Sequence, residues 1–188
     1  MTQDFAKQLA TIFHEGQFRA DGVTPYINHP KEVAKEVTEI GGSENCICLA
    51  WLHDVLEESL EKFENYFQLE HCHSAKHKFY IGMRDKMDMS FVRKLVRLSD
   101  NWDTDKFNIE TKGKVAYLSE LLISSDAEVV LVKLCDMLAN IKEGMGKRKS
   151  QAKRYYKAIQ CLKLAERKDL DERHNTLIKR IEKLYGLY

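Results

Sequence analysis

Only two prolines, Pro25 and Pro30, and nine glycines punctuate 188 residues. With so few breakers the chain is expected to fold into long helices joined by short turns rather than into strands. The apolar residues agree, recurring at helical spacing along most of the sequence. Phe5, Leu9, Ile12 and Phe13 predict a first helix closing near Gly16, followed by a loop rich in turn formers over 17–26. Asn28-His29-Pro30 opens a second helix, because proline is favoured at a first helical position. Val33, Ala34, Val37 and Ile40 give its apolar face, and Gly41-Gly42 end it. Ser43 is an N-cap for a third helix carrying Ile47, Ala50, Trp51 and the pair His53-Asp54. A short helix through Phe63, Tyr66, Phe67 and Leu69 precedes a polar, His-rich passage. Further helices follow through Phe91 to Leu98, Val115 to Leu122, Val130 to Ile141, Tyr155 to Leu164 and Leu177 to Leu184.

A chain of this size with 44% hydrophobic residues has enough apolar material for one core, so a single domain over 1–188 is expected. Thirty Lys and Arg against 29 Asp and Glu leave a net charge of +1, which argues against general nucleic-acid binding. No apolar run approaches the roughly 20 residues of a membrane span. The opening Met-Thr-Gln-Asp-Phe resembles no signal segment, so a cytoplasmic, membrane-free protein is expected. The five cysteines form no CxxC and suit reduced thiols. The sequence assigns no oligomeric state.

Chemistry concentrates in four places. On one continuous helix, His53, Asp54, Glu57 and Glu58 lie three or four residues apart and share roughly one side. That face is either the solvated acidic end of an amphipathic helix or part of a metal-and-base site. His29 and Asp136 supply further donors in apolar surroundings. Taken singly, His29 can cap a helix and Asp136 can be a satisfied core carboxylate. Together, two imidazoles and two carboxylates are a good donor set for one divalent transition ion such as manganese or iron, with positions left for water and substrate. A buried aspartate on so apolar a helix also needs a cation or donors to compensate it. Asn140 shares a helix face with Asp136.

The order of these residues resembles a known family. His14-Glu15-Gly16-Gln17-Phe18-Arg19 with Gly22 and Pro25-Tyr26-Ile27-Asn28-His29-Pro30, then Leu52-His53-Asp54-Val55-Leu56-Glu57-Glu58-Ser59, then Leu131 to Asn140, are similar to the motifs of the HD-domain phosphohydrolases. Within these the likeness is to the hydrolase domain of the RelA/SpoT alarmone enzymes and their small stand-alone homologues, over residues 5–145. The resemblance implies an all-α HD-domain helix bundle with a metal site in a central cleft. It implies metal ligands His29, His53, Asp54 and Asp136, with Mn2+ the usual ion and Fe or Zn alternatives. It further implies Glu57 as the carboxylate that activates the attacking water, Glu58 as its acidic neighbour, and Arg19, Lys106, Asn140 and Tyr155 as residues that bind a guanine nucleotide. The implied reaction is hydrolysis of the 3′-pyrophosphate of guanosine tetra- or pentaphosphate, with no synthetase domain.

Three departures stand out. Glu58 replaces the family's Asp and is one methylene longer. Met137 and Ala139 replace a basic and a ring residue. The stretch from Leu69 to Ser90 is unlike the family. They keep two other readings open: a phosphatase of another nucleotide, such as NADPH or a nucleotide monophosphate, and a nucleotide-binding domain without turnover. The water-activating carboxylate beside a metal set speaks against the latter. Three remaining signals read as structural: His71-Cys72-His73 with His77 as a surface cluster rather than a zinc site, Lys147-Arg148-Lys149 with Lys153 and Arg154 as a solvated basic turn, and Trp102 as a loop anchor.

Overall fold

The computed structural model describes residues 1–69, 76–99, 113–144 and 149–186. Among them are eleven helices: α1 Gln3–Phe13, α2 Asn28–Glu39, α3 Glu44–Leu52, α4 Val55–Glu58, α5 Leu60–Tyr66, α6 Lys76–Met83, α7 Met89–Leu98, α8 Lys114–Ser124, α9 Ala127–Glu143, α10 Lys149–Leu164 and α11 Glu172–Tyr185. The all-α expectation holds, and no helix among the described residues is long and apolar enough to cross a membrane.

The bundle is built around α9. Its residues from Val129 to Ala139 are all buried, and a helix apolar on every side must be enclosed. Helices α2, α3, α7, α8, α10 and α11 enclose it, while α1 packs on α3 and α8 on α10. Sequence caps begin the inner helices: Ser43 accepts from Cys46 N at 3.1 Å and Asp126 from Val129 N at 3.0 Å. At α11 Asp171 accepts from Arg173 N at 3.0 Å, and His174 Nδ1 accepts from Asp171 N at 3.2 Å. His174 also donates through Nε2 to Ala127 O at 2.8 Å, tying α11 to the start of α9.

Replacing Asp171 with Ala is expected to cost about 1 kcal/mol, the usual worth of an N-cap. Arg173, opposed by slight burial and joined by His174, holds the Asp171 carboxyl below the usual range. Its contribution is therefore complete above the unfolded aspartate's pKa of about 4 and fades as pH falls below it. The melting difference between parent and Asp171→Ala should shrink from pH 6 towards pH 3.

Several sequence expectations need correction. Phe5 and Ile12 are 41% and 46% exposed, because the buried stripe of α1 runs through Ala6, Leu9, Ala10 and Phe13. Leu164 is likewise exposed at 84%, lying at the end of α10 beyond its last buried turn. The passage read as polar after Leu69 contains α6, which buries Phe79 and Met83 completely. Phe79 stacks on Phe63 with ring centroids 5.8 Å apart. Phe79→Ala should therefore cost about 3–5 kcal/mol, read by denaturant unfolding. Cys46, Cys48, Cys135 and Cys161 are free, as reduced thiols require. Cys72, Trp102, Lys147 and Arg148 lie outside the described residues, as do His71, His73 and the side chain of His77.

Candidate metal centre

His53 and Asp54 do not continue α3. The helix ends at Leu52, His53 is its C-cap, and Asp54, with ψ near −5°, precedes the separate short helix α4. The single helix face expected from the sequence is thus divided: His53 points into the core at 1% exposure, and Glu57 and Glu58 stand on α4 along one wall of a cleft. A local bond marks the break, because His53 Nδ1 donates to Ala50 O at 2.8 Å. That bond fixes the ring and directs Nε2 inward.

Three elements meet at Nε2. His29 comes from the first turn of α2 and Asp136 from the middle of α9. Ligand atoms of His29, His53 and Asp136 all lie within 4.8 Å of one another, and all three residues are buried. His29 Nε2 is 3.0 Å from Asp136 Oδ1 and 3.6 Å from Asp54 Oδ2. His53 Nε2 is 3.0 Å from Asp54 Oδ1 but lacks hydrogen-bond geometry there, and it has no hydrogen-bond partner. A buried ring nitrogen aimed at two carboxylates, with its other nitrogen already bonded, is the donor arrangement of a divalent metal site.

Electrostatics agree with the geometry. Burial opposes a charged His53, but Asp54 and then Asp136 outweigh it and push the group up to about 10. Burial would raise both carboxyls, yet His53 and His29 hold Asp54 below the usual range, and Lys133 followed by the two histidines does so for Asp136. The carboxylates demand positive charge between them, which a proton or a divalent ion can provide.

Around the cluster the chain braces itself. The loop over 17–26 is a tight hairpin: Arg19 N donates to Thr24 O at 2.8 Å, Tyr26 N to Gln17 O at 2.9 Å, and Gly22 takes a φ of +71° that suits glycine. It delivers Tyr26, whose hydroxyl donates to Asp54 Oδ2 at 2.8 Å, and Arg19, whose guanidinium lies 5.1 Å over the Tyr26 ring. Gln17 Nε2 donates to Glu58 O at 2.8 Å and Ser59 Oγ at 2.9 Å, so the hairpin also holds α4. Asn140 Nδ2 donates to Asp136 Oδ1 at 2.6 Å and its Oδ1 accepts from Arg19 at 3.2 Å.

Above the cluster opens a cleft of about 240 Å³. Of the residues expected at the site, Arg19, His29, Asp54, Glu57, Glu58, Asp136, Asn140 and Tyr155 all line it, while His53 lies beneath. Lys106 lies outside the described residues. Arg19 differs from expectation in one respect: its donors are engaged by Glu143, at 3.0 and 2.5 Å, as well as by Asn140. Lys114, Tyr117, Lys133, Gln151 and Arg154 also line the cleft. Arg154 is thus part of the cleft wall rather than of a solvated turn. Lys133 was signalled by its place in an otherwise apolar run, three residues before Asp136, and Arg154 by the basic run around it; Lys114, Tyr117 and Gln151 carry no local signal. Met137 is fully buried and lines neither this cleft nor the adjoining cavity of about 260 Å³, which Ala139 shares with Arg19, His29 and Glu143.

The HD domain family matches residues 6–170. The chain belongs to that family. Its HD domain is 29% identical over 136 residues to the guanosine-3′,5′-bis(diphosphate) 3′-pyrophosphohydrolase of Haemophilus influenzae, covering 71% of this chain and 17% of that protein. It is 29% identical over 130 residues to a probable GTP diphosphokinase, RSH3, of Oryza sativa subsp. japonica, covering 69% and 16%. The HD domain therefore spans about one sixth of the length of these relatives. A solved metazoan ortholog of SpoT, described as hydrolysing ppGpp, superposes with a TM-score of 0.66 over 99% of this chain and 96% of that one. At 19% identity that likeness shows a shared fold.

Proposed function

We propose that this HD domain hydrolyses the 3′-pyrophosphate of guanosine tetra- or pentaphosphate, giving GDP or GTP and pyrophosphate, with one Mn2+ held by His29, His53, Asp54 and Asp136. The observation that carries the reading is the buried His29–His53–Asp136 cluster under a cleft lined by both carboxylates and cations. The activity named for the Haemophilus influenzae relative supports the choice of substrate.

A divalent ion bound there supplies Lewis-acid charge to a phosphate oxygen and lowers the pKa of the attacking water. The chain's own residues do the rest. Glu57 takes a proton from that water as its oxygen attacks the phosphorus joined to ribose O3′. The bond between phosphorus and O3′ breaks, its electron pair stays on O3′, and O3′ takes a proton from solvent water, with Glu58, beside Glu57 on α4, placed to pass it. Tyr26 keeps Asp54 in place, and Asn140 does the same for Asp136. Arg19, whose guanidinium lies 5.1 Å from the Tyr26 ring centroid and whose edge is engaged by Glu143, is proposed as the residue that meets the base. Lys106 is proposed as a further phosphate contact, and Tyr155 as part of the nucleotide wall.

One observation favours a second reading. Ala139 lies beside the cavity next to Arg19, so a different base or a bulkier nucleotide has room there. Product analysis with guanosine tetraphosphate, NADPH and nucleotide monophosphates separates the two. Release of GDP and pyrophosphate supports the first reading, and phosphate from another nucleotide alone supports the second.

A further inference from the structure

Helix α4, which carries Glu57 and Glu58, is a single turn of four residues. A helix so short is not stable on its own hydrogen bonds, so its position is set by what it is tied to. Val55 and Leu56 are buried and anchor its start. Its end is held by Gln17, whose Nε2 donates to Glu58 O at 2.8 Å and to Ser59 Oγ at 2.9 Å. Ser59 Oγ in turn donates to Phe13 O at 2.8 Å. What orients Gln17 is His14. A carbonyl oxygen only accepts, so the amide group facing Glu58 O is the NH2, and Gln17 Oε1 is left facing His14 Nδ1 at 2.8 Å. His14 therefore carries its proton on Nδ1 and donates it to Gln17. Burial, assisted by His53 and His29 and partly opposed by Gln17 and Asp54, holds the ring below its ordinary pKa, in keeping with this neutral tautomer. Phe13, Ser59, Gln17 and His14 thus close a ring of hydrogen bonds that joins the end of α1 to the end of α4.

Packing does not account for the imidazole. The His14 ring is 2% exposed and stacks on Tyr26, with centroids 4.8 Å and planes 20° apart. A phenylalanine would keep that stack. His14 instead leaves Nε2 buried without a hydrogen-bond partner among the described residues, which costs free energy. What the imidazole adds is the donor to Gln17. We infer that His14 is a positioning residue of the reaction: through Gln17 it fixes the end of α4, and with it the reach of Glu57 and Glu58 into the cleft. Neither His14 nor Gln17 lines that cleft, so both act at one remove from the substrate. A displacement of about 1 Å costs on the order of 100-fold in rate even when its cause lies far from the chemistry. Loss of this one tie is therefore read in kcat.

The inference rests on the reading of Glu57 as proton acceptor, and the two can fail separately. Three variants test it. His14→Phe keeps the ring and removes the donor, His14→Asn puts an amide N–H close to the place of Nδ1, and Gln17→Met removes the link from its other end. Hydrogen exchange of the Mn2+-loaded protein needs no substrate and reads the hold on α4. In His14→Phe the amides of Glu58 and Ser59, bonded to Asp54 O and Val55 O, should exchange several-fold faster, with those of α9 unchanged. With guanosine tetraphosphate, kcat of His14→Phe should fall by about 10–100-fold, while KM and Mn2+ affinity change much less. His14→Asn should restore most of that loss. His14→Phe combined with Gln17→Met should be no slower than Gln17→Met alone, because both remove the same bond. Unchanged exchange at Glu58 and Ser59 would overturn the inference, as would full kcat in an ion-bearing His14→Phe or losses that multiply in the double variant. If His14→Phe does not fold, His14→Asn decides: kcat near that of wild type supports the inference, and a fall as deep as that of Gln17→Met overturns it. Faster exchange at α4 in a protein that leaves guanosine tetraphosphate intact contradicts the proposed substrate alone.

Discussion

Asp136→Asn is expected to weaken Mn2+ binding by at least about 100-fold, beyond the 10–100-fold typical of residues that only orient a ligand. The carboxylate contributes more than a donor atom. Oδ1 lies among His29, His53 and Asn140, and Oδ2 faces Lys133, so one side chain faces both histidines and the lysine. An amide keeps the shape, removes the charge and brings an N–H2 towards either a histidine or an ammonium. Alanine would be a poorer test, because breaking a buried ion pair by removing one partner costs about 3–5 kcal/mol on its own. Thermal melting reads the effect. Mn2+ at 100 times its Kd should stabilise the parent by about 2.7 kcal/mol, a rise of roughly 5–10 °C for a chain of this length. Asp136→Asn should show almost none of that rise at the same Mn2+ concentration, and an equal rise in both proteins would remove Asp136 from the ligand set.

Glu57→Gln should lower kcat by about 10²–10⁴-fold, the usual worth of a positioned general base, while changing Mn2+ affinity less than tenfold. Glu57 lines the cleft from α4 but is not in the histidine–aspartate cluster. A glutamine there fills the same space and cannot accept a proton. The backbone around it should not move, because Gln17 holds Glu58 O and Ser59 Oγ, and Ser59 Oγ donates to Phe13 O at 2.8 Å. Metal content and pre-steady-state turnover of the purified variant check both halves. Full turnover with the ion bound would remove Glu57 from proton transfer.

How much of this was legible in the sequence depends on the range of the interactions. The helices follow from the 3.6-residue period and the scarcity of breakers, and Ser43 is read directly as a cap. The order His29, His53-Asp54, Asp136 was readable because each stands out against apolar neighbours. The break between α3 and α4 was not, since apolar residues on both sides keep the helical period while a hydrogen bond from His53 to Ala50 turns the chain. The face of α1 was misread because Phe5 and Ile12 carry more hydrophobicity than Ala6 and Ala10, yet the small residues allow the close approach to α3. Helix α6 was hidden by its polar, His-rich approach. The contacts of Arg19 with Glu143 and of Tyr26 with Asp54 join residues 124 and 28 positions apart, and no local pattern encodes them.

The most direct test of the account is product analysis of the purified protein incubated with guanosine tetraphosphate and Mn2+, beside a chelator-treated control. The account predicts GDP and pyrophosphate in equal amounts, abolished by the chelator and restored by Mn2+. Intact guanosine tetraphosphate in the presence of a fully loaded metal site would contradict it.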